Sequence, residues 1–347
     1  MRFSTRLLAI LLTACLIAGC DGKKSGDDKD GKSAEGKRPK IAFVTNCIAN
    51  FWTIGQAGAL KAGEDLNCDV EVRMPPSEGG VAANQKRILE SLISKGVQGI
   101  AVSPCNPANQ VDILNEVGNN AIFITHDSDA PNSNRKYYIG MSNYDAGRMV
   151  GEMVKQALPN GGNIIIFVGS IDQDNGKLRR QGVIDEILDR SHDAKRFDEP
   201  GSAIKGDKYT ILATRIDNMD GVRKKELPQQ ALAKFDDIQC MVGLFEYNPP
   251  FIMDALKSAG KLGEIKVVGF DENDRTLEEI RKGNCVGTVV QDPFMYGYKS
   301  VEVLAKLVRG EKLDIEGDFI DIPARKIQKD NVDEFQQNLK ALLESEK

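Results

Sequence analysis

The chain has 347 residues, an apolar fraction of 41% and a formal net charge of −5, from 46 basic and 51 acidic residues. That mild acidity argues against a nucleic-acid surface. Seven cysteines and two histidines, with no C-x-x-C and no H-x-x-x-H spacing, argue against a metal site and leave no cofactor expected.

The first residues set the compartment. Arg2 and Arg6 form a short basic segment, and Leu7 to Ala18 is apolar and uncharged. That run is too short to span a membrane but suits the hydrophobic part of a secretory signal. It ends in Ile17-Ala18-Gly19-Cys20, which resembles a bacterial lipobox. The resemblance implies a signal over 1–19, lipidation of Cys20 and a membrane anchor by acyl chains. An ordinary signal peptide is the alternative. Losing Arg2 and Arg6 would take the net charge from −5 to −7, because the leader holds no acid. Residues 20–38 are rich in Gly, Lys, Asp and Ser and read as a flexible tether. About 310 residues remain, a length that suggests two lobes. Of the cysteines left there (Cys47, Cys68, Cys105, Cys240 and Cys285), an odd count leaves at least one thiol free.

From Lys40 short β-rich runs alternate with helical stretches. Strand over 41–45 is followed by helix over 51–66, strand over 70–74 and helix over 80–95. Strands over 99–102 and 121–125 flank a helix over 108–118, and a helix over 144–157 restarts the rhythm. Asn163-Ile-Ile-Ile-Phe-Val168 is the clearest strand, after a Gly-Gly turn. Later strands are expected over 209–215, 238–244, 265–270 and 286–290, each separated by a helix. Such alternation implies α/β architecture with parallel sheets covered on both faces. The tally divides near Ser142-Asn143, giving two doubly wound lobes.

Ligands of doubly wound sheets bind beyond the carboxyl ends of the strands. The residues there are polar or aromatic: Asn46, Asn50-Phe51-Trp52, Ser103, His126-Asp127, Asp172, Asp217-Asn218, Glu246-Tyr247-Asn248, Asp271 and Gln291. With Arg179 they mix donors and acceptors, as sugar hydroxyls require. Phe51 and Trp52 suit the C–H faces of a sugar ring; core packing at a helix start is the alternative for that pair. For Asp271 the alternative is an N-cap on the helix over 274–282. Asp127 and Asp271 could also be imagined as a glycosidase pair, but no G-x-S-x-G elbow or phosphate loop accompanies them.

At these residues the chain resembles the ribose-type periplasmic sugar-binding proteins, whose fold is shared with the ligand domains of Lac-repressor-like regulators. The resemblance runs from about Pro39 to Arg325. Its markers are Phe51-Trp52, Thr125-His126-Asp127, Tyr138-Ile139-Gly140, Arg179-x-x-Gly182, Val267-Val-Gly-Phe-Asp271 and Gly287-Thr-Val-Val-Gln291. It implies the type I periplasmic binding protein fold, with two lobes joined by a three-strand hinge and closing over one sugar. The first lobe would hold 39–142 plus 293–321, and the second 143–292 plus 322–330. Residues 331–347 would add an amphipathic C-terminal helix. Phe51 and Trp52 would sandwich the ring, Asp127 would bind hydroxyls from the first lobe, and Arg179, Asn248, Asp271 and Gln291 would answer from the second lobe and hinge. Asn50 matches the family's asparagine after a one-residue shift, Met219 stands near a family aromatic, and Ser128 replaces an arginine. These departures leave the sugar open.

The implied role is that of a monomeric, periplasmic receptor, not an enzyme, handing a monosaccharide or small polyol to an ABC permease complex in the inner membrane. A sensory receptor feeding a chemoreceptor or kinase is the alternative. One consequence is direct: Cys20→Ser should move the protein from the membrane fraction to the soluble one, and an unchanged membrane fraction would rule out the anchor.

Overall fold

The computed structural model describes residues 38–344, apart from 77 and 79. The signal, Cys20 and the tether as far as residue 37 lie outside the described residues.

The first half follows the expected alternation. β1 (Lys40–Val44), α1 (Asn50–Asp65), β2 (Asp69–Arg73), α2 (Val81–Ser94), β3 (Gly99–Val102), α3 (Val111–Asn120) and β4 (Ile122–His126) lead to a short β5 (Tyr138–Gly140). The second series begins with α4 (Asn143–Ala157), β6 (Gly162–Val168) and α5 (Asp174–Ile187). A hairpin of β7 (Ile204–Lys205) and β8 (Tyr209–Ile216) precedes α6 (Arg223–Lys234), β9 (Cys240–Gly243), α7 (Asn248–Ser258), β10 (Lys266–Phe270), α8 (Asp274–Lys282) and β11 (Gly287–Val290). The chain closes with α9 (Pro293–Val308), β12 (Phe319–Asp321), β13 (Arg325–Ile327) and α10 (Val332–Glu344).

Two sheets result, ordered β2-β1-β3-β4-β5-β12 and β7-β8-β6-β9-β10-β11-β13. Each places its second long strand outside its first and the third and fourth on the other side, so both are doubly wound in the same sense. The pairings are parallel except β7–β8 and β11–β13. The strands are apolar on both faces because helices cover both sides. Ile41 and Phe43 face the cluster beneath α1 and α9, while Ala42 and Val44 face that beneath α2 and α3. Ile164 and Ile166 face α4 and α5, while Ile165 and Phe167 face α7 and α8. The chain passes between the sheets three times: after β5, after β11, and between β12 and β13.

Two close helix crossings set the walls of the cleft. A Cβ on Gly58 of α1 would lie 1.9 Å from the Phe294 carbonyl oxygen of α9, and one on Gly297 would lie 2.0 Å from that of Gly55. In the other lobe a Cβ on Gly147 of α4 would lie 2.1 Å from the Arg179 carbonyl oxygen, and one on Gly182 would lie 2.0 Å from that of Tyr144. Only a bare Cα lets these backbones approach.

The C-terminal helix α10 roots in the second lobe. Val332 and Phe335 join the cluster beneath α7 and α8, and Arg281 binds Asp333 and Gln336. It also touches α1 of the first lobe.

Gly58→Val should lower stability by about 2–3 kcal/mol through overpacking at the α1–α9 crossing. The urea midpoint reads this out; Gly201→Val, where nothing lies within 4 Å of the new carbon, should change it little.

Candidate functional site

The site gathers where the strands of both sheets end. Asp127 directly follows β4, and Asp271 directly follows β10, the corresponding strand of the other sheet. Both leave their strands with left-handed backbone, φ 58° and 63°. Aspartate tolerates this region better than most residues, and such turns cluster at functional positions. The two turns are held alike. The Asp127 N–H donates to the Ile139 carbonyl at 2.9 Å, and that of Asp271 to Val289 at 2.7 Å. The aspartates' own carbonyls each accept a hydroxyl from the next strand, Asp127 from Tyr138 Oη at 2.9 Å and Asp271 from Thr288 Oγ1 at 2.9 Å.

Each carboxylate is steered through one oxygen. Asp127 Oδ2 accepts from Ser103 Oγ at 2.9 Å and from Asn46 Nδ2 at 3.3 Å. Asp271 Oδ1 accepts from Gln291 Nε2 at 2.8 Å, and Tyr296 Oη donates to Gln291 Oε1 at 3.2 Å. Asp271 is free of the capping role, because Asn273 caps α8 by accepting from the Arg275 N–H.

Arg179 of α5 lies between these groups. Its Nε donates to Asn143 Oδ1 at 2.9 Å and its Nη1 to the Leu244 carbonyl at 3.3 Å. The guanidinium lies 4.0 Å from the Phe270 ring centroid, and Nη1 is 3.9 Å from Asp271 Oδ2. Burial raises the Asp127 carboxyl above the usual range, offset by the Ser103 bond and the Arg179 charge. Burial likewise pushes Asp271 up to about 6, offset by Arg179 and Gln291. Nothing in the order of residues marks a raised carboxyl; burial in the fold supplies it at both.

Asn248 opens α7 and is buried. Its Oδ1 accepts from the Phe245 N–H at 2.9 Å, and its Nδ2 donates to Asp217 Oδ2 at 3.2 Å. Tyr247 Oη donates to Asp217 Oδ1 at 2.8 Å. Asn46, Ser103 and Asp217 therefore belong to the site. All three stood out as polar strand ends, and Asn46 and Ser103 follow β1 and β3, where the strand order reverses.

The remaining expected residues are more dispersed. Phe51 is half-buried and lines a cavity of about 400 Å³ with Thr53, Asp271 and Glu272. Trp52 is 2% exposed and packs in the first-lobe core, with its Nε1 donating to Asn46 Oδ1 at 2.8 Å. Core packing thus describes Trp52, which orients Asn46 and through it Asp127. His126 is buried against Phe43 and Trp52; burial lowers it to about 3, so it is neutral and its Nε2–H donates to the Val44 carbonyl at 3.1 Å. Met219 is 50% exposed and lines a separate cavity of about 420 Å³ at the outer rim, with Asn106 and Asp172. Asn50 is the first residue of α1, and its side chain is outside the described ones. Among the described residues, no group of acids, histidines and cysteines could hold a metal ion.

Because the indole is core, Trp52→Ala should cost about 3–5 kcal/mol of stability in denaturant titration. A loss of about 1 kcal/mol would place the ring in the cleft instead.

Known proteins share this architecture. The ribose import binding protein of Haemophilus influenzae is 23% identical over 310 residues, covering 87% of this chain and 94% of that protein. A solute-binding protein from Burkholderia graminis, solved with D-arabinose, superposes with a TM-score of 0.74 at 22% identity over 84% of this chain and 96% of its own. GanP, a glucose-galactose binding protein from Geobacillus stearothermophilus, gives 0.73 at 23% identity over 85% and 99%. These likenesses show the type I periplasmic binding protein fold. The model of the periplasmic binding protein domain matches residues 41–312, and the chain belongs to that family.

Proposed function

We propose that the protein captures a monosaccharide or small polyol between its lobes and delivers it to an ABC permease. The observation that carries this reading is the matched pair Asp127 and Asp271. Each sits at the same place in its own sheet, is turned by the same left-handed step and is held through one oxygen. The other oxygen of each stays available to accept from a sugar hydroxyl, with Arg179 donating beside them. Lobe closure brings the two halves of the site onto one ligand, with the three chain crossings as hinge.

The relatives support the ligand class, since their names and titles give ribose, D-arabinose, glucose and galactose. Ser128 stands where the ribose binders carry an arginine, so ribose itself is not favoured. The raised carboxyls alone would also suit a glycosidase acid; family membership argues for binding without catalysis. We place the protein at the periplasmic face of the envelope, held by acyl chains on Cys20. Phe51 covers one face of the ring, Trp52 backs Asn46, and Met219 stands at the rim.

A thermal-shift screen against pentoses, hexoses, polyols and amino sugars should identify a ligand, and a chain stabilised by none of them would refute the reading. With that ligand, Asp127→Ala and Asp271→Ala should each weaken binding by at least about 2 kcal/mol, roughly thirtyfold, because charged acceptors are lost. Near-native affinity in both variants would put the site elsewhere.

A further inference from the structure

Glu272 follows Asp271 in the loop between β10 and α8 and has no role in the site above. Both of its carboxylate oxygens are buried and lack a hydrogen-bond partner among the described residues. Such orphans are rare in folded proteins and call for a physical reason. Burial first, and then the like charges of Asp271, Asp292 and Glu246, hold its carboxyl well above the usual range, and its own backbone N–H offsets this in part. The nearby cations are engaged elsewhere: Arg325 pairs with Asp292 at 3.3 Å, and Arg179 lies against Asp271. Protonation removes the charge but leaves a buried O–H that needs an acceptor, and neither oxygen has a hydrogen-bond partner on another described residue.

The position of the group matters as much as its isolation. Glu272 lines the same cavity of about 400 Å³ as Asp271, Phe51, Thr53 and Leu339, between the start of α1, the β10–α8 loop and α10. A ligand held by Asp271 has that cavity beside it, with room for a substituent. A hydroxyl there would satisfy one acceptor and leave the excess negative charge. An ammonium carries three donors and a positive charge, so it satisfies both oxygens and relieves the repulsion among the acids.

We propose that Glu272 is the counter-ion for a protonated amine on the captured ligand, which makes that ligand an amino sugar or amino-bearing polyol. The inference rests on the reading of the chain as a sugar receptor and narrows its substrate class.

The test is calorimetric titration of the full chain, purified in detergent. The probes are D-glucosamine, D-galactosamine and D-mannosamine, each against its neutral hexose and its N-acetyl form, which keeps the N–H but loses the charge. At least one amine should bind about tenfold or more tighter than both counterparts, and Glu272→Gln should bring that ratio within about threefold. Glu272→Gln should also raise the melting temperature of the free protein at neutral pH, because folding no longer has to bury an acid that is ionised in the unfolded chain. Equal or tighter binding of the neutral hexoses, a ratio that survives Glu272→Gln, or a lower melting temperature in that variant would each overturn the assignment. Neutral hexoses binding while amines do not would remove the amine and leave sugar capture standing. Silence across these probes and across the pentoses and polyols would remove both.

Discussion

At Asp127 and Asp271 the chain turns through left-handed backbone directly off the ends of β4 and β10, and the cleft is organised around those turns. An extended residue there would point its carboxylate at one face of the sheet, toward the covering helices. The left-handed step swings it aside while the N–H still bonds to the neighbouring strand, so sheet pairing and ligand recognition are met by one residue. Because the two sheets are wound alike, the device occurs twice, once in each lobe. The glycine crossings serve the same end. They draw α9 onto α1 and α5 onto α4, which brings Arg179 and the start of α1 to the carboxylates.

Charge decides how these groups can be used. Asp127 and Asp271 converge with one guanidinium, Asp217 is buried against Tyr247 and Asn248, and burial raises Asp127 and Asp271. Neutral neighbours carry much of the work of holding them: Ser103 and Asn46 on one side, Gln291, Tyr247 and Asn248 on the other. These bonds fix geometry without cancelling charge. The acids therefore remain able to answer a ligand that brings donors of its own.

Much of this was readable beforehand because parallel strands buried on both faces leave continuous apolar runs, of which Ile164 to Val168 is the plainest. The strands β5, β7 and β12, of two or three residues, carry too little pattern to register. Adjacent aromatics in a helix point about 100° apart, so Phe51 and Trp52 meet edge to face at 4.8 Å while only Phe51 lines the cavity beside Asp271. The small and apolar positions Gly55, Ala59 and Ala62 continue the buried stripe that starts at Trp52, and that spacing was visible in the sequence. The choice of Asn273 over Asp271 as the cap of α8 was not, since both residue types cap well. Met219 was hidden for another reason. It and Asn218 both adopt positive φ, φ 58° and 55°, a loop path that local sequence does not dictate.

The helix α10 bears on the energetics of closure in the absence of any sugar. It is rooted beneath α7 and α8, yet it touches α1 of the opposite lobe. An opening that parts those surfaces loses their contact, which favours the closed form in the empty protein. Apparent affinity scales with the fraction of molecules in the competent state. If the ligand enters through the open form, that bias slows entry; once the ligand is inside, the same contact slows escape. The final helix thus trades speed of loading against residence time, a setting that can be tuned from the end of the chain without altering a single group that touches the sugar.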